Sequence, residues 1–422
     1  MEFPCALRLP ALAAIATALA LAAPASAEPA LAPATKPTPA PDLRSIPPMA
    51  FFVAKGDADA CGPGCGEWIA ADGAIDGGTP ARLRALLAKL NKAGKRALPI
   101  YFHSPGGSVT ASLELGRLMR AHKMKAAIGR TIPQGCDPNA VREKACDVIM
   151  RSGRELTGQL RTNRAVCASA CVYAFVGAAE REVAPGASLG VHSMQITRTT
   201  ILKNQEGRIL ATSKTKITGD VPSIREAHSR VARYATEMGI GRELVEAAAA
   251  VPFEKIRALT RDEIVRFGID RREFVQSGWT REAHPSSGRV GLTTFMVGPD
   301  IDEPQQYRVS LLRLSCASSS ERILVQLARQ QRPFAKARSV ALVAGGNELA
   351  LKPFGKPVVD SKGVETEGRG ALAAPAYFEN AAKDESIEIV EEGAAPGGAK
   401  RRTALSVAGL ASLLKALPEQ CY

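Results

Sequence analysis

Around Ser104-Pro105-Gly106-Gly107-Ser108 the chain passes from a short apolar run, Ala97 to Phe102, into a segment from Val109 to His122 that carries Leu113, Leu118 and Met119 on one side. Gly106 and Gly107 lack a Cβ and are free to turn sharply, and Pro105 cannot continue a strand ladder. The stretch therefore predicts a strand, a tight turn and a helix. A second apolar run, Met124 to Ile128, follows at once. Strand, helix and strand in that order predict a right-handed parallel crossover and an α/β core. Glycines in such a turn also let the backbone come close to whatever lies above it.

Two further pieces lie downstream. Cys167-Ala168-Ser169-Ala170-Cys171 places a serine between small residues at a predicted helix start, after the strand end Ala165-Val166-Cys167. Leu189-Gly190-Val191-His192 ends an apolar run on a histidine. An attacking serine needs a base within hydrogen-bond reach and backbone N–H groups aimed at the oxygen that becomes negative. Ser169 is the candidate nucleophile and His192 the candidate base. Gly106, Gly107 and Ala170 are the candidate oxyanion-hole backbone. The same residues also have plain structural roles: Ser169 as a small residue where helix meets strand, His192 as a buried core histidine, the glycines as turn formers. His103 is a rival base. Cys167 and Cys171 could bridge across the serine as a redox pair, but plain burial is the preferred expectation.

These pieces, in this order and approximate spacing, resemble the proteolytic subunit of Clp-type proteases and, more widely, the Clp/crotonase superfamily with its signal peptide peptidases and exported, cysteine-containing relatives. The resemblance rests on Ser104 to Ala111, Ala168 to Ala170 and Gly190 to His192, and covers Phe51 to Asp270, about half the chain. It implies an α/β, ββα-repeat domain over 49–280 and a serine hydrolase, in particular a peptidase acting on peptide or protein substrates. It also implies a homo-oligomer, on surfaces the sequence does not identify. One member of the family's triad does not transfer. Where its aspartate would fall, before Leu259 to Glu263, the chain reads Ala249-Ala250-Val251-Pro252-Phe253-Glu254, and Glu254 is out of register by a couple of residues. A Ser-His dyad is therefore expected, with a catalytically inactive envelope binding or scaffold protein as the alternative. Acyl-CoA chemistry on the same oxyanion hole is disfavoured, because those substrates are cytosolic.

The N-terminus points to export. Arg8 precedes an apolar stretch, Leu9 to Ala23, that ends in Ala25-Ser26-Ala27, the pattern of a cleaved signal peptide over 1–27. Residues 28–48 are rich in Pro and Ala and predict an extended linker. Of nine cysteines, Cys5 lies in the leader, and the even remainder suits disulfides in a periplasmic or extracellular compartment. Proximity suggests Cys61 with Cys65 and Cys136 with Cys146, and Cys316 with Cys421 as a staple near the C-terminus. No second Cys/His pair stands at a spacing suited to zinc, so neither metal nor cofactor is expected. A net charge of +13 suits contact with anionic envelope surfaces. Only 5% aromatics and no basic-aromatic motif argue against nucleic acid.

The remaining segments complete the expectation. Thr79 to Gly94 reads as a helix, with Leu83, Leu86, Leu87 and Leu90 at helical spacing. Pro133 to Gly158 reads as a polar insertion, and Ser193 to Ser223 as an irregular, basic, exposed arm or lid. Helices follow at Ile224 to Met238, Arg242 to Ala249 and Arg261 to Phe267. A linker is expected at 281–288, and short alternating apolar runs over 289–422 predict a β-rich accessory domain.

Overall fold

The computed structural model describes residues 37–40, 45–94, 98–137, 144–283, 290–301, 304, 306–317, 322–330, 337–356, 358–359, 365–383, 386–393, 398, 400–415 and 417. The leader, most of the linker and Cys421 of the expected Cys316–Cys421 pair lie outside them.

The fold is mixed α/β. Its N-terminal part is built on a seven-stranded sheet in the order Arg130–Pro133, Leu156–Arg161, Ala50–Lys55, Glu67–Asp72, Ile100–His103, Lys125–Ile128, Glu180–Glu182. From Glu67–Asp72 onward the neighbours are parallel, so each step needs a crossover, and the helices Thr79–Lys92 and Val109–Ala121 provide two of them. Side chains alternate across this sheet. Val53, Ile69, Ala71, Ile100, Phe102, Ala126 and Ile128 enter the main core under the helices. Phe52, Ala54, Trp68, Ala70, Tyr101 and Ala127, one residue out of step, form a smaller core on the other face. Burial on both faces is why these strands read as continuous apolar runs.

A second sheet, in the order Thr38–Pro39, Lys255–Ala258, Ser188–Val191, Val166–Ala168, carries the two downstream pieces. Thr38–Pro39 pairs antiparallel with Lys255 and Ile256, so part of the expected linker is a sheet edge and not a free tether. Pro39 is tolerated there because an edge strand can spare a donor. The polar insertion is also corrected: Leu156–Arg161 pairs parallel with Ala50–Lys55 and extends the main sheet. The basic arm is ordered as an exposed two-stranded hairpin, Ile196–Lys203 with Ile209–Ile217.

Three helices end on one half-buried cation. The Arg181 guanidinium donates to the carbonyls of Val176, Ala178, Met238, Gly268 and Ile269, which close the helices Ala170–Val176, Pro222–Glu237 and Arg261–Arg266. Burial lowers its pKa to about 10, with Arg120 and Arg271 adding to the effect, and the helix C-termini offset part of the cost of desolvation.

The C-terminal part has its own apolar core between an eight-stranded and a four-stranded sheet, with Pro375–Lys383 and Leu410–Lys415 as helices. Its first strands, Val275–Gln276 and Thr280–Ala283, pair with Val290–Pro299. The sheet thus begins before the segment read as a linker. No described helix is long and apolar enough to cross a membrane.

The helices Val109–Ala121 and Ala170–Val176 approach through Gly116 and Gly177. A Cβ on Gly116 would lie 1.8 Å from the Tyr234 hydroxyl, which donates to the Tyr173 carbonyl. Alanine is the better helix former by about 1 kcal/mol, but overpacking here costs about 1 to 3 kcal/mol. Gly116→Ala is therefore expected to destabilise the protein in denaturant unfolding. In a Tyr234→Phe background, where the clashing oxygen is gone, the same change is expected to cost clearly less.

Candidate functional site

The site is assembled where the two sheets meet. Ser104 N–H donates to the Val166 carbonyl and Ala168 N–H to the Ser104 carbonyl, which bridges the glycine turn to the Val166–Ala168 strand. That strand runs parallel to Ser188–Val191, with Cys167 opposite Leu189 and Ala168 opposite Gly190. Continuing the register sets Ser169 across from Val191, next to His192. Ser169 and His192 therefore each follow the end of one of two neighbouring strands, which in a sheet lie about 4.8 Å apart.

Ser169 sits at the N-terminus of Ala170–Val176 with φ 55° and ψ −126°, a left-handed backbone that non-glycine residues rarely adopt. Such a conformation costs about 1 to 3 kcal/mol and persists only where its surroundings impose it. The Ser169 N–H donates to the Gly190 carbonyl at 2.7 Å. Gly106, at φ 106°, presses on the same point: a Cβ there would meet the Ala168 oxygen at 2.6 Å, Ser169 Cβ at 2.7 Å and the Ala170 nitrogen at 3.0 Å. Gly107 is held against Ile75, whose carbonyl oxygen would lie 2.0 Å from an added Cβ. Both glycines are dictated by close approach as well as by backbone angle.

The N–H groups of Gly107 and Ala170 have no acceptor among the described residues. That of Gly106 does: it donates to Ser104 Oγ at 3.2 Å, which takes it out of the oxyanion donor set expected from the sequence. Ser104 is 1% exposed, so this bond is shielded from water.

His192 is 7% exposed and stacks on Phe253 with ring centroids 5.0 Å apart. Its Nδ1 lies 2.6 Å from the Phe253 carbonyl oxygen. A carbonyl only accepts, so Nδ1 carries the proton and Nε2 is left as a lone pair. Burial lowers the imidazole pKa, against smaller opposing contributions from the Phe253 carbonyl and the Glu254 charge, so the ring is neutral near pH 7. The position of the missing aspartate is thus filled by a main-chain oxygen. Sequence reasoning could not find it, because any residue at 253 offers a carbonyl. The Lys255–Ala258 strand that follows it, paired antiparallel with Ser188–Val191, leaves no apolar run in the sequence, since it reads Lys-Ile-Arg-Ala. No hydrogen bond joins the Ser169 hydroxyl to the imidazole among the described residues. Catalytic hydrogen bonds in substrate-free sites are commonly long and tighten on binding.

The rival base is placed otherwise: His103 Nδ1 accepts from the Val166 N–H. Cys167 and Cys171 are joined as a disulfide across Ser169, where the sequence favoured plain burial. Disulfides also join Cys61 to Cys65 and Cys136 to Cys146. No group of acidic, cysteine or histidine side chains suited to a metal occurs among the described residues. A cleft of about 630 Å³ opens elsewhere, lined by residues that include Tyr101, Gln159, Arg161, Trp279 and Arg281, and it contains neither Ser169 nor His192.

No protein-family model matches the chain, and no curated protein does. Among solved structures, the chain is similar to a serine-to-alanine mutant of the 1510-N membrane-bound stomatin-specific protease, at 18% identity and TM-score 0.28, over 47% of this chain and 73% of that one. A lysine-to-alanine mutant of the same protease, in complex with a substrate peptide, matches at 18% identity and TM-score 0.27, over 46% and 67%. Invasion associated protein b from Bartonella henselae matches at 12% identity and TM-score 0.23, over 33% and 89%. Likenesses this slight leave the chemistry of the site to its own geometry.

The lowered His192 pKa has a thermodynamic consequence. The unfolded chain takes up the imidazole proton at higher pH than the folded one, so stability is full above the ordinary imidazole range and falls as pH drops through it. His228, also lowered by burial, contributes in the same direction. In denaturant unfolding at a series of pH values, His192→Gln is expected to flatten this decline but not abolish it. An unchanged slope would contradict the buried, neutral imidazole.

Proposed function

We propose that the protein is an exported serine hydrolase, a peptidase acting through a Ser169–His192 dyad on a Clp/crotonase-like domain. The observation that carries this reading is a non-glycine serine in left-handed backbone at a helix N-terminus, after a strand paired with the one that leads into a neutral histidine whose tautomer leaves Nε2 as a lone pair.

His192 Nε2 takes the Ser169 proton as Oγ attacks a peptide carbonyl carbon. The oxygen that becomes negative lies against the N–H groups of Gly107 and Ala170, at the positive end of a short helix. The imidazolium then returns its proton to the departing amine, leaving an acyl-enzyme, and water activated by the same ring hydrolyses it. Gly106 contributes closeness rather than a donor: with no side chain it leaves the backbone beside Ser169 open. The Phe253 carbonyl holds the ring in its tautomer, as an aspartate would, but without a full negative charge to stabilise the imidazolium. The rate is therefore expected to be lower than that of a triad, where loss of the carboxylate costs about 10⁴-fold in a related case.

Three disulfides among the described residues suit an oxidising compartment, and with the leader-like N-terminus they support a periplasmic or secreted location. The C-terminal part is proposed as a binding or structural module and the whole as a homo-oligomer. Its excess of basic side chains suits an anionic envelope surface.

A fluorophosphonate probe is expected to label the wild-type protein on Ser169 and to leave Ser169→Ala unlabelled. Equal labelling of both would remove the hydrolase reading in favour of a catalytically silent envelope protein. His192→Ala is expected to slow labelling by about 10² to 10⁴-fold. Glu254→Gln should keep activity while moving the acid limb of its pH profile lower, because the Glu254 charge raises the His192 pKa. Loss of activity on that change would instead make Glu254 an essential partner of the histidine.

A further inference from the structure

The segment that holds Ser169 is closed on itself. Cys167 lies in the Val166–Ala168 strand and Cys171 in the first turn of Ala170–Val176, and their disulfide spans a Cα separation of 5.2 Å around the serine. Both cysteines are fully buried. The five-residue loop contains Ser169, one of the few described non-glycine residues at positive φ. It also contains Ala170, whose N–H is one of the two proposed oxyanion donors. A strand end and a helix start joined covalently at this spacing cannot relax by letting the serine return to ordinary backbone angles while the helix slides away.

Non-covalent restraints meet at the same residue but are weaker. The Ser169 N–H to Gly190 carbonyl bond and the Gly106 contact both hold it from outside the loop. They fix where the turn is; the disulfide fixes its internal shape.

We infer that the Cys167–Cys171 disulfide is a positioning element for Ser169, and that it makes the hydrolase competent only as the oxidised protein. This rests on the hydrolase reading above and adds a condition to it. In the reduced chain, Cys167 and Cys171 are two thiols, and Ser169 is free to leave the left-handed region. Oxidation removes one proton and one electron from each thiol and forms the S–S bond. A dithiol-forming oxidant, a protein or small-molecule disulfide, accepts the two electrons and two protons. Because both sulfurs are buried once folded, the bond forms while the segment is still open, during folding in an oxidising compartment. A chain folded under reducing conditions is then latent, and export switches it on. The other two disulfides among the described residues carry no such condition, since Cys61–Cys65 closes a loop at the smaller core and Cys136–Cys146 lies in the insertion.

The experiment compares full-length wild type, Cys167→Ala/Cys171→Ala and Cys136→Ala/Cys146→Ala, each shown to be folded by circular dichroism. It measures fluorophosphonate labelling rate, kcat and KM on a peptide substrate, and amide hydrogen exchange over 167–176. Removing the Cys167–Cys171 bond is expected to lower labelling and kcat by about 10²-fold with little change in KM, as displacement of a reacting group does. It should also deprotect the Ser169 amide. Wild type folded in excess dithiothreitol should behave likewise, and the Cys136/Cys146 variant should match oxidised wild type. A folded Cys167→Ala/Cys171→Ala protein with wild-type labelling and an intact Ser169 amide would overturn the inference. Wild type that is never labelled, with protection still lost in that variant, would sink the hydrolase reading while upholding the positioning role.

Discussion

Everything at the candidate site depends on one parallel pairing, Val166–Ala168 against Ser188–Val191. Its register, Cys167 opposite Leu189 and Ala168 opposite Gly190, brings two residues separated by more than twenty positions to neighbouring strand ends. A slip of one residue would turn the apolar side chains of that strand to the wrong face, so the buried core that specifies the pairing also specifies the site. The glycine turn is tied to the same strand through Ser104, which both receives and gives main-chain bonds with it. Site and core are therefore one construction.

Glycine is used here for space more than for flexibility. Gly106 touches the serine and the following nitrogen, Gly107 lies on Ile75, and Gly116 and Gly177 let two helices approach closely. At each position a methyl group would meet backbone or a buried hydroxyl. The apolar helix Ala170–Val176, buried along its whole length with Tyr173 and Phe175 among its side chains, is the counterpart of a strained serine. Packing from outside and the Cys167–Cys171 bond within the loop act together on that backbone.

The histidine is oriented by a less polar partner than a carboxylate. A main-chain carbonyl selects the tautomer as firmly as an aspartate does, yet brings only a partial charge, and burial of the ring further disfavours its protonated form. The balance suits a base that is neutral across a wide pH range and a modest stabiliser of the imidazolium. Glu254, exposed and close enough to be felt, supplies a screened charge where a triad would have a buried one.

The amino-acid sequence was sufficient for what depends on local chemistry: the Ser104–Ser108 turn, the helices at Thr79–Lys92 and Val109–Ala121, the strand before the second of them, and the short-range cysteine pairs at 61 and 65 and at 136 and 146. Those follow from spacing and from residue types that permit few alternatives. It was not sufficient where a main-chain atom or a long-range pairing does the work. The Phe253 carbonyl, the Ser104 hydroxyl that claims the Gly106 N–H, the edge strand Thr38–Pro39 and the joining of Leu156–Arg161 to the main sheet leave no mark in residue identity. Every residue carries a carbonyl and nearly every one an N–H, so which of them meet is decided only when the chain has folded. The bond between Cys167 and Cys171 lies between these cases: the spacing allowed it, and only the strand-to-helix turn brought the two sulfurs together.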